Sequence, residues 1–596
     1  MGVMEPPRHR SPVVRFGLFE CDVRSGELRK QGRKIRLEGQ PVQILIKLLA
    51  RPGELIPREE LQQELWPADT HVNFEHSLNA AVKRLRQALG DSPSNPRFVE
   101  TLARRGYRFI APVTLTNAAI SNETPMPRGI EWLAVLPFEN VGADPETEYL
   151  SEGLTESVIN GLSERPGLRV MARSTVFRYK DTSEDPRVVG RRLNVQAVLL
   201  GRVRQRGAAV VVDAELVDVE NGWRLWGEQY CRQLDEIFGV EEEISREIAE
   251  KLHLRLSGEL TARWTHRHAP SGEAYQNYLK GRYHWNRLTG DGLTKGIEYF
   301  QQAIQNDSNY APAYAGLADC YNVMGFYGVA PAAEVMPKAK AAALRALEID
   351  DGLAEAHTAL ASAIKVWDWE WAGAEREYRR ALELNPHYAL GCRAYAAHLC
   401  ALGRTEEALQ QIERAHEMEP MSLPISMEVA WNLYMARKYD RAIEQAVKTL
   451  EMEPRFSSAQ HILGLAHEQK GQYEEAVAAL QEALEPERHP ATLAALGHVL
   501  ALAGRRSEAE EMLDRLQKIS RQSHVSPYWF ALVHEGLGDN AASLEALKQA
   551  YAERDVWLVW SRVDPRLDGL KGEPGYEELL RRIGLMPDLS AKSAVR

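Results

Sequence analysis

Lys83, Arg84 and Arg86 fall within four residues, and Arg104 and Arg105 follow just before Gly106. These side chains do no covalent chemistry. Their cationic heads are hydrogen-bond donors that grip phosphate oxygens and the acceptor edge of guanine. Elsewhere the sequence offers little to a covalent mechanism. It lacks G-x-x-x-x-G-K-[ST], G-x-G-x-x-G, H-E-x-x-H and G-x-S-x-G, and its 17 histidines are dispersed. Glu139, Asp144, Glu146 and Glu148 gather in one stretch. Carboxylates suit hard cations, but a solvated loop is the simpler reading. Cys21, Cys231, Cys320, Cys392 and Cys400 are scattered, odd in number and without C-x-x-C, which fits reduced thiols rather than a disulfide frame or zinc site. The expectation is a chain with no catalytic residue, metal or cofactor, and not an enzyme.

The cations need elements to hold them. Leu78, Val82, Leu85 and Leu89 recur at three- and four-residue steps, which predicts a helix from near Ser77 to Leu89 with one apolar face. Asn79, Lys83, Arg84, Arg86 and Gln87 take its other flanks. Gly90-Asp91 stops it where a C′ glycine belongs. Residues 98–101 and 107–110 read as paired strands around the tip Arg104-Arg105-Gly106. A cationic helix beside a cationic hairpin tip suits double-stranded DNA, whose major groove admits a helix.

Net charge points the other way, since the 596 residues carry −11. Residues 1–112, however, hold 19 Lys and Arg against 13 Asp and Glu, a surplus of six that leaves −17 for the remainder. A basic head on an acidic body has this distribution. No apolar run approaches the ~18 residues of a membrane span, and no signal peptide is evident, so a cytoplasmic protein without a membrane anchor is expected.

Upstream of the cationic helix, residues 13–37 read as four short strands broken by glycine turns. Residues 41–50 and 57–66 read as helices, each opening on a proline. The stretches LEGQPVQILIKLLARPGELIPREELQQELWP, NAAVKRLRQALGD and FVETLARRGYRF resemble the winged helix-turn-helix of OmpR/PhoB-type regulators, particularly the CadC-like kind. That resemblance covers about 100 residues. It implies that the third helix enters the major groove and the wing reaches the adjacent minor groove. By position, Ser77, Asn79, Ala80, Lys83, Arg84 and Arg86 would face DNA. Trp66, Thr101 and Tyr107 match positions that touch the phosphate backbone, with a core role open for Trp66. The tip reads A-R-R-G where the family often has R-G-x-G, so either Arg104 or Arg105 would occupy it.

The expected architecture is multidomain α+β. A tail (1–12) precedes the winged helix (13–112), a polar linker (113–130), an α/β domain (131–257) and an all-α tetratricopeptide solenoid with a cap (273–588). The linker carries no transmembrane helix, which sets the chain apart from CadC-like membrane sensors. In the middle domain, VLPFENVGADPETEYLSEGLTE and LRVMARSTVFRYK resemble a TolB-N/FlgO-like domain, which implies a sensory or assembly module. Ile237, Ile244, Ile248 and Leu252 share a helix face that could pair with a partner chain or, more simply, pack on its own domain. Beyond 273, Pro386, Pro420 and Pro454 stand 34 residues apart, as do Ala374, Ala408, Ala442 and Ala476. This is the tetratricopeptide period. About eight units should stack into a solenoid with a concave surface for a protein or peptide partner. Trp367, Trp369 and Trp371 lie in one turn, as a partner anchor or, more simply, as packing of that turn.

Together these features predict a one-component bacterial transcription regulator that carries a phosphorelay-type effector domain without a receiver domain. The α/β and repeat modules would sense a signal or partner. The resemblance further implies two copies on one DNA site. The alternative is a repeat scaffold localised to DNA by its winged helix, and a third reading hides an enzyme in 131–257.

Overall fold

The computed structural model describes residues 13–586 except 17–18, 23–25, 31–32, 36, 38, 66–73, 94–95, 103–104, 112, 117–129, 143, 164, 166, 181, 253–269, 288 and 485–488. The chain forms two compact units, residues 1–126 and 127–596.

The first unit opens with four strands, β1 (Val13–Phe16), β2 (Phe19–Asp22), β3 (Leu28–Lys30) and β4 (Arg33–Ile35), in an antiparallel meander. Helix α1 (Gln40–Ala50) follows, with Ile44, Leu45 and Leu48 fully buried at the helical spacing of a core-facing stripe. Strand β5 (Leu55–Pro57) leads into α2 (Arg58–Leu65) and α3 (Phe74–Leu89). Then β6 (Val99–Leu102) and β7 (Gly106–Phe109) form the expected hairpin, and β5 pairs with β7 to give a three-stranded sheet. Only glycine fits at 106, since a Cβ there would collide with the Ile56 carbonyl. Strand β8 (Thr114–Thr116) pairs with β1, with Val14 opposite Leu115. The head's first sheet therefore takes three residues expected in the linker. Phe16, Phe19, Phe98 and Phe109 join the two sheets; the Phe16 and Phe109 rings meet edge to face at 5.0 Å.

In the second unit, β9 (Trp132–Val135), β10 (Glu139–Asn140), α4 (Glu148–Ser163), β11 (Arg169–Val170), α5 (Arg173–Val176), α6 (Pro186–Arg192), β12 (Ala197–Arg206), β13 (Ala209–Asp218), β14 (Arg224–Gln233) and α7 (Phe238–Lys251) build the α/β domain. Its sheet runs β11-β9-β12-β13-β14, parallel at β9 and antiparallel from β12 onward. Ile237, Ile244, Ile248 and Leu252 are buried in its core, as expected of that face.

From Gly272–Trp285 to Asn540–Ala552 the described residues form eight helix pairs, a tetratricopeptide solenoid. Ala374, Ala408, Ala442 and Ala476 are buried where the helices of a pair cross, which explains why they recur as small residues. The first helices of successive pairs pack on one another and form one continuous face. The chain's own residues 551–585 lie on that face. Trp557 meets Phe326 at 4.9 Å and Trp529 at 4.6 Å, and Trp560 meets Trp431 at 5.5 Å. Trp371 Nε1 donates to the Ile583 carbonyl at 2.7 Å, Trp369 stacks on Tyr551, and Arg554 donates to the Trp367 carbonyl. The tryptophan cluster thus packs internally. Asp564 and Arg566, both essentially inaccessible, pair at 2.7 Å within this segment. The first pair also holds the α/β domain, because Glu156 of α4 accepts from Arg282 Nε and Asn286 Nδ2, each at 2.8 Å. No helix among the described residues is long and apolar enough to cross a membrane.

Candidate nucleic-acid interface

Helix α3 is two-sided. Leu78, Val82, Leu85 and Leu89 are at most 3% exposed and lock it into the core. Asn79, Ala80, Lys83, Arg84 and Gln87 face water. Ser77 is half-buried at the helix shoulder. Neither Lys83 nor Arg84 enters an ion pair among the described residues. Two long cations held by a rigid helix are thereby left free to meet an anion.

Arg86 behaves differently. It is half-buried, and its Nη2 donates to the Val99 carbonyl at 2.7 Å and to Thr101 Oγ1 at 2.8 Å. It is a strut from helix to wing, and Thr101 is its acceptor. Arg86 shares a flank with Lys83 at i,i+3, but its side chain reaches the acceptors that β6 supplies. Sequence spacing could not separate the strut from the free cations, because strand β6 lies beyond the loop. Asp91 completes that loop. Its carboxylate accepts from the backbone N–H of Arg97 at 2.6 Å, Val99 at 2.8 Å, Ser92 at 3.1 Å and Phe98 at 3.3 Å. Gly90, at φ +65°, makes the preceding turn without a Cβ penalty.

A second set of side chains ties the three parts of the head together. Arg58, the first residue of α2, places Nη2 3.2 Å from Asn79 Oδ1 and 3.1 Å from the Tyr107 hydroxyl. Tyr107 donates to the same Asn79 oxygen at 2.9 Å. The Arg58 guanidinium also lies 5.3 Å from the Tyr107 ring centroid. Tyr107, expected at the phosphate backbone, is only 2% exposed, so it reaches the surface through this contact rather than directly. Arg58 had no signal in the sequence, where it reads as an ordinary first-turn residue after Pro57. Arg105 is exposed at the wing tip, and its carbonyl accepts from the Arg58 backbone N–H at 3.3 Å. Trp66 and Arg104 lie outside the described residues.

The acidic stretch of the α/β domain does not converge. Glu139 is exposed and pairs with Arg202 at 3.0 Å. Asp144 accepts from the backbone N–H of Glu146, and Glu148 pairs with Lys180 at 2.7 Å. Burial pushes the Glu148 carboxyl up, but the Lys180 and Asn140 hydrogen bonds outweigh it and hold it below its ordinary range. A carboxylate kept ionised in this way is no general acid. Glu139 and Glu148 border an open groove of about 1110 Å³ whose floor includes Leu136, Phe138 and Leu200. Among the described residues no His, Cys, Asp and Glu group could hold a metal ion.

Residues 32–109 match the family described as transcriptional regulatory protein, C terminal, and the head is an OmpR/PhoB-type domain. Residues 130–236 match the second domain of HilA/YgeH-like transcriptional regulators. Residues 430–492 and 469–533 match tetratricopeptide repeats. The chain is similar to the transcriptional regulator HilA of Salmonella typhimurium, 26% identical over 423 residues, covering 70% of this chain and 73% of HilA. A match of that length reaches beyond any single module. The transcriptional activator CadC of Escherichia coli is 28% identical over 105 residues, 17% of this chain and 20% of CadC. A Rhizobium meliloti protein provisionally named adenylate cyclase 3 is 31% identical over 312 residues, 52% of this chain and 50% of that protein. The chain therefore spans half the length of this last relative.

Proposed function

We propose that this chain is a sequence-specific, one-component transcription regulator acting in the cytoplasm on double-stranded DNA. The observation that carries the reading is the exposed face of α3, where Lys83, Arg84 and Asn79 project from a helix anchored on its opposite side. Lys83 and Arg84 make direct contacts in the major groove, and Ala80 allows close approach. Ser77 and Thr101 flank the phosphate backbone, as does Trp66. Arg105 or Arg104 enters the minor groove. Arg86 and Tyr107 support this surface from behind. Two heads on tandem half-sites fit the regulators that the head resembles.

In this reading the domain boundaries follow the modules: winged helix over 13–112, α/β domain over 131–257 and repeats with their cap over 273–588. The body receives the signal. A protein or peptide partner on the face built by the first helices has to displace residues 551–585. No enzymatic role is assigned: the cyclase-named relative is matched over half its length, and the carboxylates beside the α/β groove are engaged in ion pairs.

Binding of the full chain to duplexes selected from a random library, followed across a salt series, tests the proposal. A steep fall of affinity with salt is expected. No salt-sensitive binding to any duplex would remove it.

A further inference from the structure

The Arg58–Asn79–Tyr107 triangle fixes which atoms α3 can offer to DNA. A guanidinium only donates hydrogen bonds. With Arg58 Nη2 3.2 Å away, the Asn79 amide has to present its carbonyl oxygen inward. The Tyr107 hydroxyl accepts from Arg58 and spends its single proton on that same oxygen. Both lone pairs of Oδ1 are therefore engaged, and the atom left facing outward on this exposed residue is Nδ2, with its two N–H groups. Arg58 is itself held, through its backbone bond to Arg105 and its contact with the Tyr107 ring, so the triangle cannot turn as a unit. Rotating the amide would set an NH2 against a guanidinium.

We infer that Asn79 is a donor-only specificity residue and that Arg58 is the positioning residue that makes it so. The inference rests on the DNA-binding reading. An asparagine reads adenine by donating to N7 while accepting from the exocyclic amine. Asn79 has no acceptor left for the second bond. It is restricted to hydrogen-bond acceptors, which on DNA are phosphate oxygens, N7 of either purine, O6 of guanine and O4 of thymine, so it cannot use the exocyclic amine that distinguishes adenine.

The experiment uses the full chain and duplexes selected by the wild-type protein. Asn79→Asp keeps an oxygen toward Arg58 and Tyr107 but replaces the outward NH2 with a carboxylate oxygen. Asn79→Ala removes the donor without adding charge. Binding is expected to weaken about tenfold or more for Asn79→Asp and about fivefold for Asn79→Ala, measured at a temperature where unfolding curves show each variant fully folded, since Asn79→Ala also loses the Arg58 and Tyr107 bonds. Methylphosphonate linkages and 7-deazapurines, scanned along the site, then locate the acceptor. The substitution that weakens the wild type but not Asn79→Ala marks a phosphate or a base accordingly. Arg58→Met frees the amide and should shift a repeated selection toward adenine at that position, through the added bond from the exocyclic amine. Three results overturn the inference: wild-type affinity in Asn79→Ala; loss in Asn79→Asp alone, which is charge repulsion; or a wild-type site where replacing adenine by purine abolishes the Asn79 dependence. If the wild type selects no duplex at all, the DNA-binding reading itself has failed and the inference falls with it.

Discussion

On the head, Lys83 and Arg84 stand in water with no ion pair among the described residues, while in the body a half-buried Arg282 and a buried Arg566 pair with Glu156 and Asp564. The difference lies in what surrounds the charge. A cation on an exposed helix keeps its hydration until an anion arrives. A buried one has lost its water and depends on its partner. Burial pushes the Asp564 carboxyl up, yet Arg566 and Tyr528 hold it below its ordinary range. Losing a head cation should therefore cost binding and leave folding alone, whereas losing a body charge should cost folding.

The largest expected effect is on the body. Asp564→Ala strands Arg566 and should destabilise the second unit by about 3–5 kcal/mol, read by urea unfolding followed through tryptophan fluorescence. A loss below about 1 kcal/mol would break the contrast. Next comes the head. The Lys83/Arg84 double alanine variant should lose about 2–4 kcal/mol of DNA affinity with the unfolding curve unmoved. Unchanged binding would dispose of α3 as the reading element.

A third effect is pH-dependent. His498 is buried between Glu468 and Glu535, each 3.0 Å away. Burial pushes the imidazole down, but the two carboxylates outweigh it and lift it to about 9. A folded-state value above the unfolded ~6.5 means that this stabilisation is complete below about pH 6.5 and is lost as pH rises through about 9. On the order of 2–3 kcal/mol should disappear over that window, and His498→Gln should flatten the slope. A wild-type profile that is flat from pH 6.5 to 9 would contradict it. The smallest effect sharpens the boundary between the two regimes. Arg86→Gln should cost about 1–2 kcal/mol in stability of the head through the Val99 and Thr101 bonds, and leave the salt slope of DNA binding alone. A slope reduced by about one would instead make Arg86 a phosphate contact.

Local periodicity was enough to place most elements, because each apolar stripe reports its own burial. The faces of α1 and α3, the three long strands of the α/β sheet and the 34-residue repeat were all legible. Strand β5 was not, since three residues ending in Pro57 carry no alternation, and its existence depends on β7 fifty residues away. Strand β8 escaped for the same reason, since it depends on β1 at the far end of the head's sequence. Within the candidate site, residue type and spacing marked Lys83 and Arg84. They could not tell Arg86 from its neighbours, nor reveal Arg58, because those roles are set by partners across the fold.

The segment 551–585 has one more consequence. Repeat arrays ordinarily resemble a spring that can uncoil from either end, each coil gripping only its neighbours. Here Trp557 touches aromatic rings of the second and the eighth pairs, and Trp560 one of the fifth, so distant coils are riveted through a common axle. Such a spring resists fraying and is expected to give way all at once, which makes its tail the natural place to pry.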